Sequence, residues 1–341
     1  MTRARRSEIL ALPTEASVHA HLLRELGFDA ALEVVPPPSG DVAGAERLRV
    51  VAWNAQRCPD IGAAAALLEQ SRGEAFLLSE LDHGMARSGQ RHTARELASR
   101  LGCGYAFGVE FLELGLGDPR ERAAHAGAEN AVGYHGGAIV GPRPLAGHSL
   151  LRVERSGRWF DGALGERRIG GRIAVLGRIP LGGREVAFAS VHLENQADPN
   201  ERAAQLEAVF DALERFAPGA PALVGGDVNT HSLGRAELAD RELLKRALAA
   251  DPKRLREPIA HEPLFALAER RGYDWRSCNA VGVSTQRRTS ADGSARGTLA
   301  LDWFFARGLE VSEPEVISAV DPATGAALSD HEAIAVTIRC R

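Results

Sequence analysis

The sequence predicts an α/β protein built on mixed β-sheets, and three observations predict it. Short β-branched apolar runs recur from residue 47 to the end of the chain. Helical repeats stand between many of them. A carboxylate, amide or histidine closes or opens run after run, which is how a site is assembled at strand ends from distant segments.

Composition narrows the class. The 341 residues carry 41 Lys+Arg against 45 Asp+Glu, a formal net charge of −4, with 45% hydrophobic and 25% charged residues. These are ordinary values for a globular protein and exclude collagen, coiled coil and bulk disorder. No stretch approaches the roughly 20 apolar residues of a membrane span. A slightly acidic chain is also a poor coat for long nucleic acid. Cys58, Cys103, Cys278 and Cys340 form no C-x-x-C pair and no zinc spacing, so free thiols in a reducing compartment are expected. The start MTRARRSEIL lacks the apolar core of a signal peptide, which makes the cytoplasm the expected location.

Residues 1–46 read as an N-terminal extension ahead of one domain over 47–341. In the extension, 16–33 has Val18, Leu22 and Leu26 at helical spacing with a break at Gly27, and 36–40 (PPPSG) is a linker or strap. LRVVAWN (48–54) is a buried strand, IGAAAALLEQS (61–71) a helix, and EAFLLSELD (74–82) a strand ending in carboxylates. HTARELASRLG (92–102) is a helix with Gly102 as its C-terminal stop. The glycine-bearing 103–135 gives no clear element. GGAIVG (136–141), RWFDG (158–162), RIAVLGRI (172–179) and EVAFASVHLEN (185–195) read as strands. Residues 201–217 form the clearest helix, with Leu206, Val209, Phe210, Leu213 and Phe216 on one face and Asn200 as the expected N-cap. PALVGGDVN (221–229) is a strand entering a turn, 235–271 holds helices such as ELLKRALAA, and LDWFFAR (301–307) and EAIAVTI (332–338) are late strands.

Asn54, Glu80, His192, Asp227, Asn229, Asp302, Asp330 and His331 fall at the ends of these runs. Carboxylates and amides are hard oxygen donors, suited to Mg²⁺ or Mn²⁺ rather than zinc. Histidine and aspartate can move or donate protons. Taken singly, each has a structural explanation. Asn54 could close an Asx turn, His192 could be a satisfied core histidine, and Ser329-Asp330-His331 could cap a helix. Their joint order is what points to chemistry. A serine-hydrolase reading of Ser329-Asp330-His331 is poor, because adjacent residues rarely reach triad geometry and no G-x-S-x-G elbow exists.

VVAWNAQ (50–56), SELD (79–82), SVHLEN (190–195), GGDVN (225–229), LDWFF (301–305) and SDH (329–331) together resemble the endonuclease/exonuclease/phosphatase superfamily. The resemblance spans about 48–340 and looks closest to its tyrosyl-DNA phosphodiesterase, deadenylase and neutral sphingomyelinase branches. It implies a four-layer αββα sandwich of two mixed β-sheets. It implies a divalent-metal-dependent phosphoester hydrolase using Mg²⁺, with Mn²⁺ as substitute. The alternatives are a repair-type DNA or RNA nuclease and a catalytically silent scaffold. By the same resemblance Glu80 is the principal metal ligand, with Asn54 beside it and Asp330 on the metal side. Asp227 activates water or supports the leaving group, Asn229 and His192 hold the phosphate, and Asp302 orients the catalytic His331. Two positions depart from the family pattern. Gln56 stands where an acidic residue often follows the asparagine, and Gly137 stands where the G-N-A-I-L-S-R segment has its asparagine.

The substrate implied by the resemblance is a phosphoester: a small molecule, a lipid headgroup ester or nucleic acid. Candidate contacts are Arg172, Arg287 and Arg288, with Arg167, Arg168 and Arg296 also near strand ends or in the polar segment 285–297. Trp159, Phe160, Tyr273 and Trp275 could stack on a base, but buried packing is the better reading of each. No arginine and aromatic residues interleave as in single-strand binders. A small or locally engaged phosphoester is therefore expected.

Overall fold

Alternation along the second strand sets the layering. Within β2 (Arg47–Arg57), Val51, Trp53 and Ala55 face a helical layer, while Leu48, Val50 and Ala52 face another sheet. A strand buried on both faces reads as a continuous apolar run, as this one does. The computed structural model describes residues 1–38, 45–163, 165–234, 240–287 and 298–341.

The larger sheet runs β1 (Leu32–Val35), β4 (Gly104–Glu113), β5 (Tyr134–Gly141), β3 (Ala75–His83), β2, β13 (Ala333–Cys340) and β12 (Leu309–Ile317), with β7 (Arg168–Gly170) also paired to β4. The smaller sheet runs β11 (Asp302–Arg307), β10 (Ala222–Asp227), β9 (Arg184–His192), β8 (Ile173–Leu181) and β6 (Gly147–Arg152). Both are mixed, with β2 parallel to β3 and β9 parallel to β10. Ile173, Val175, Phe188, Leu223 and Phe304 meet Val50, Leu77 and Val336 between the sheets. Helices α2 (Ala16–Glu25), α3 (Ile61–Gln70) and α4 (Thr93–Arg100) cover the larger sheet. Helices α6 (Pro199–Phe216) and α8 (Pro263–Arg270) cover the smaller one. The order is helix, sheet, sheet, helix: the expected four-layer sandwich. Short α5 (Pro119–Ala124) and amphipathic α7 (Arg241–Ala250) lie between strands.

Several expectations are corrected. Residues 158–160 are a turn, not a strand; Trp159 and Phe160 are buried as aromatic packing, without the alternation a strand needs. The unassigned 103–135 contains β4 and α5. Helix α6 is capped by Asp198, not Asn200. Pro199 fills the first helical position, and Asp198 and Glu201 close a capping box. All four cysteines are free, as expected. Gly102 takes a left-handed φ of 65° just past α4, as its role required.

The extension contains α1 (Arg3–Ala11), α2 and β1, and it is tied to the rest by packing and charge. Ile9, Leu22, Leu23 and Phe28 join the core beneath the larger sheet. His19 Nε2 accepts from the Gly170 amide at 3.0 Å. Asp29 pairs at 2.9 Å with Arg152, whose side chain is fully buried, and at 2.9 Å with Arg155. Burial opposes ionisation of Asp29, but Arg155 and Arg152 hold its pKa below the ordinary value. Its stabilisation is therefore present above the unfolded-state pKa and lost as pH falls through the folded one. Asp29→Asn is expected to cost about 1–3 kcal/mol in urea unfolding at neutral pH, because it weakens the neutralisation of a buried guanidinium.

Candidate active site

The smaller sheet sets three site residues on one rung. In the register of β10, Asp227 lies opposite His192 on one side and Asp302 on the other. Gly226 makes this possible. Its φ is 141°, and a Cβ there would lie 2.2 Å from the Val191 carbonyl oxygen. On the larger sheet, β2 and β3 run in register to Asn54 and Ser79 and then shift. Beyond that point Gln56, Arg57, Cys58 and Glu80 all have positive φ, at 42°, 73°, 50° and 55°. Non-glycine residues adopt this backbone at a cost of roughly 1–3 kcal/mol each, and such strain concentrates at functional sites.

The two sheets open onto one cavity of about 510 Å³. Its polar lining includes Glu80, His192, Asp227, Asn229, Asp330 and His331. Its apolar lining comes from Leu244, Leu255, Leu299 and Leu301, which pack with one another. Asn54 and Asp302 stand directly behind. The Asn54 amide nitrogen reaches Glu80 at 3.2 Å and Asp227 at 3.1 Å. Asp302 Oδ2 lies 2.9 Å from His331 Nδ1. Gln56, the departure from the family pattern, accepts the Asp330 amide at 3.0 Å through its side chain.

Charge is concentrated here. Burial opposes protonation of His331, but the Asp302 and Asp227 carboxylates raise its pKa well above the ordinary value. Its Nε2 lies 3.7 Å from Asp227. Burial and Arg172 also oppose a charge on His192. Glu110, 3.1 Å from its Nδ1, and Asp227, 3.5 Å from its Nε2, nevertheless carry its pKa upward. Burial raises the Asp227 pKa, the His331 charge opposes the rise, and Asp302 adds to it. Asn229 is held by donation to the Leu193 carbonyl at 2.9 Å, with its amide on Asp227 at 2.9 Å.

The expected arginine contacts fare differently. Arg287 lines the cavity, but its guanidinium pairs with Glu332 at 2.9 Å. Arg172 is buried behind His192, paired with Glu110 and Glu194, and is not on the cavity wall. Arg168 pairs with Glu113 and Glu166, and Arg167 donates to the backbone of Leu10, Leu12 and Pro13. Arg288 and Arg296 lie outside the described residues. Trp159, Phe160, Tyr273 and Trp275 are all buried packing residues. Sequence reasoning missed Glu110, which backs His192, and Arg57, which contacts Glu80. The only available signal was charge inside otherwise apolar strand segments.

Two groupings could be considered for a cation within the site. The Glu80 and Asp330 carboxylates line its edge, and Asn54 turns its amide nitrogen to Glu80 while its Oδ1 accepts the Gln56 amide at 3.1 Å. Burial is the main cause that raises the Asp330 pKa; the His331 charge opposes the rise and Glu80 adds to it. The two carboxylates suit a hard divalent cation, and Asn54 could join them only with its amide turned to offer oxygen. Asp227, Asp302 and His331 also place ligand atoms within 4.8 Å of one another. His331 Nδ1 is committed to Asp302 at 2.9 Å, however, and the Asp302 and Asp227 carboxylates favour the imidazolium, which is no ligand. Away from the site, Glu33, His83 and His92 form a third grouping. There the two rings stack at 4.0 Å and 20°, so they cannot aim in-plane lone pairs at one ion.

No family model and no curated protein matches the chain. Solved structures do. An endonuclease/exonuclease/phosphatase from Beutenbergia cavernae superposes with a TM-score of 0.56 at 15% identity, over 86% of this chain and 72% of its own. A functionally unknown conserved protein from Enterococcus faecalis gives 0.56 at 12% identity, over 86% and 100%. The endonuclease/exonuclease/phosphatase from Bacteroides vulgatus gives 0.53 at 12% identity, over 86% and 99%. With the two mixed sheets and their flanking helices, these likenesses establish that the chain has the endonuclease/exonuclease/phosphatase fold.

Proposed function

We propose that the protein is a divalent-metal-dependent phosphoester hydrolase. The observation that carries this reading is the convergence of the His331–Asp302 pair, His192, Asp227 and the Glu80–Asn54 pair on one cavity. Hydrolysis passes through a transition state rich in negative charge, so the site must neutralise charge and align a water opposite the leaving oxygen. His331 and His192, both favoured as imidazolium, present fixed donors to phosphoryl oxygens. Asn229 has a second amide hydrogen beyond the one given to Leu193, and it can be offered to the phosphate. Asp227 sits between the histidines and can accept the proton of the attacking water. Glu80 and Asp330, with Asn54 turned to offer its amide oxygen, would hold Mg²⁺ or Mn²⁺. Bound there, the ion supplies a Lewis acid that polarises a phosphoryl oxygen and stabilises the leaving oxygen.

The leucine lining favours a phosphoester with a compact, partly apolar group over a long duplex. A nucleotide, a lipid headgroup ester and an oligonucleotide compared side by side test this. Preference for long duplex by orders of magnitude would favour a repair-type nuclease instead. The chemistry itself is tested with bis-p-nitrophenyl phosphate. EDTA is expected to abolish turnover, and Mn²⁺ or Mg²⁺ to restore it. Glu80→Ala is expected to lower kcat/KM by about 10²-fold, the scale of losing one charge-stabilising group. Turnover that survives both EDTA and Glu80→Ala would reject the reading.

A further inference from the structure

Arg57 stands in direct contact with the carboxylate proposed to hold the cation. Its Nη1 donates to Glu80 Oε2, while the other Glu80 oxygen takes the Asn54 amide. A run of left-handed residues at 56–58 and the register shift after Asn54 deliver the side chain there. Arg57 also has a second carboxylate behind it. Its Nε lies 3.2 Å from Glu121 Oε1 in α5. Glu121 is fixed in turn by Arg87 at 3.2 Å and by the Asp118 amide at 2.8 Å.

This arrangement has a consequence for the cation. A divalent ion on Glu80 would share a carboxylate with a guanidinium in a poorly solvated place, where like charges repel strongly. One of them must give way. Arg57 can do so without becoming a lone buried charge, because Glu121 already pairs with it. We propose that Arg57 is an internal counter-ion that competes with the divalent cation for Glu80 and is handed to Glu121 when the cation binds. The inference rests on the metal-dependent reading above and adds to it a residue that sets cation affinity.

Calorimetric titration of the full chain with Mn²⁺ tests it without any activity measurement. Arg57→Gln is expected to bind Mn²⁺ about tenfold or more tightly than wild type, since the competing charge is gone. Glu121→Gln is expected to bind it several-fold more weakly, since Arg57 has lost its alternative partner. The ion-free Arg57→Gln protein should melt below wild type, and saturating Mn²⁺ should close the gap. Equal or weaker binding by a folded Arg57→Gln protein, or unaltered binding by Glu121→Gln, overturns the inference. Glu121→Gln decides alone if Arg57→Gln does not fold. Binding in wild type that Glu80→Gln abolishes and Arg57→Gln does not tighten rejects this inference and leaves the metal reading standing. No Mn²⁺ binding in wild type or either variant rejects both.

Discussion

His331→Ala is expected to lower kcat/KM for a phosphodiester by about 10²–10⁴-fold, the range for a proton-transfer or charge-stabilising group. The fold should survive the change. The backbone at 331 is fixed by its neighbours: Trp53 Nε1 donates to its carbonyl at 3.1 Å, and Ser329 Oγ accepts its amide at 3.0 Å. What disappears is the imidazolium alone. The same argument gives a pH dependence with a definite sign. Asp302 and Asp227 raise the His331 pKa against the effect of burial, so the protonated form, the one proposed to act, is favoured above the ordinary histidine range. Activity should fall on the alkaline side as pH rises through that raised value. Asp302→Asn removes the largest raising interaction and leaves burial dominant. Its alkaline limb should move to lower pH, and the His331 ring titration followed by NMR should move with it. Stability follows the same linkage. The contribution of His331 is complete below its unfolded-state pKa and is lost as pH rises through the folded one. An Asp302→Asn profile whose alkaline limb lies at the same pH as in wild type would show that Asp302 does not govern His331.

The strands that carry the site were legible because a strand buried on both faces must be a β-branched run, and the polar residue ending it stands out. That is why Asn54, Glu80, His192, Asp227, Asp302 and His331 could be singled out as candidates, and the structure brings them to one place. Residues whose role depends on a partner in a distant strand were not legible. Glu110 lies in a segment whose glycines hid the strand β4, and only the fold sets it against His192. Arg172 carries the same formal signal as a phosphate contact, yet Glu110 and Glu194 neutralise it inside the protein. Edge elements were lost for a different reason. Strand β12 reads LEVSEPEVI and is largely exposed, with charges that protect a sheet edge and break the apolar pattern. Aromatic content misled at 158–162, where Trp159 is buried by donating to Glu194 at 2.9 Å from a turn.

Arg202→Leu is expected to destabilise the protein by about 3–5 kcal/mol, the cost of stranding one member of a buried ion pair. Arg202 and Glu262 are both fully buried and pair at 2.5 Å, joining α6 to the residue that precedes α8. Burial raises the Glu262 pKa even with Arg202 present, and removing the guanidinium leaves burial unopposed by its main counter-charge. A carboxyl group with a raised folded pKa binds more protons in the native state, so stability falls as pH climbs from the ordinary glutamate value of 4.5 toward the folded value. Wild type shares the lower part of that fall, so the deficit should be smallest near the bottom of the window and grow by up to about 1.4 kcal/mol per pH unit once pH passes the wild-type folded value. Urea unfolding across that range reads the slope, and a deficit constant with pH would mean that lost packing dominates. Arg202→Leu combined with Glu262→Leu leaves no stranded charge and should recover part of the stability. Activity should not return with it. Glu262 also accepts the Ser232 amide at 2.7 Å, and Arg202 lies 3.4 Å from His231, so the pair pins the turn that follows Asn229. A double variant that is stable yet slow, with kcat reduced more than KM is raised, would separate the placing of Asn229 from the stability of the sheet that carries it.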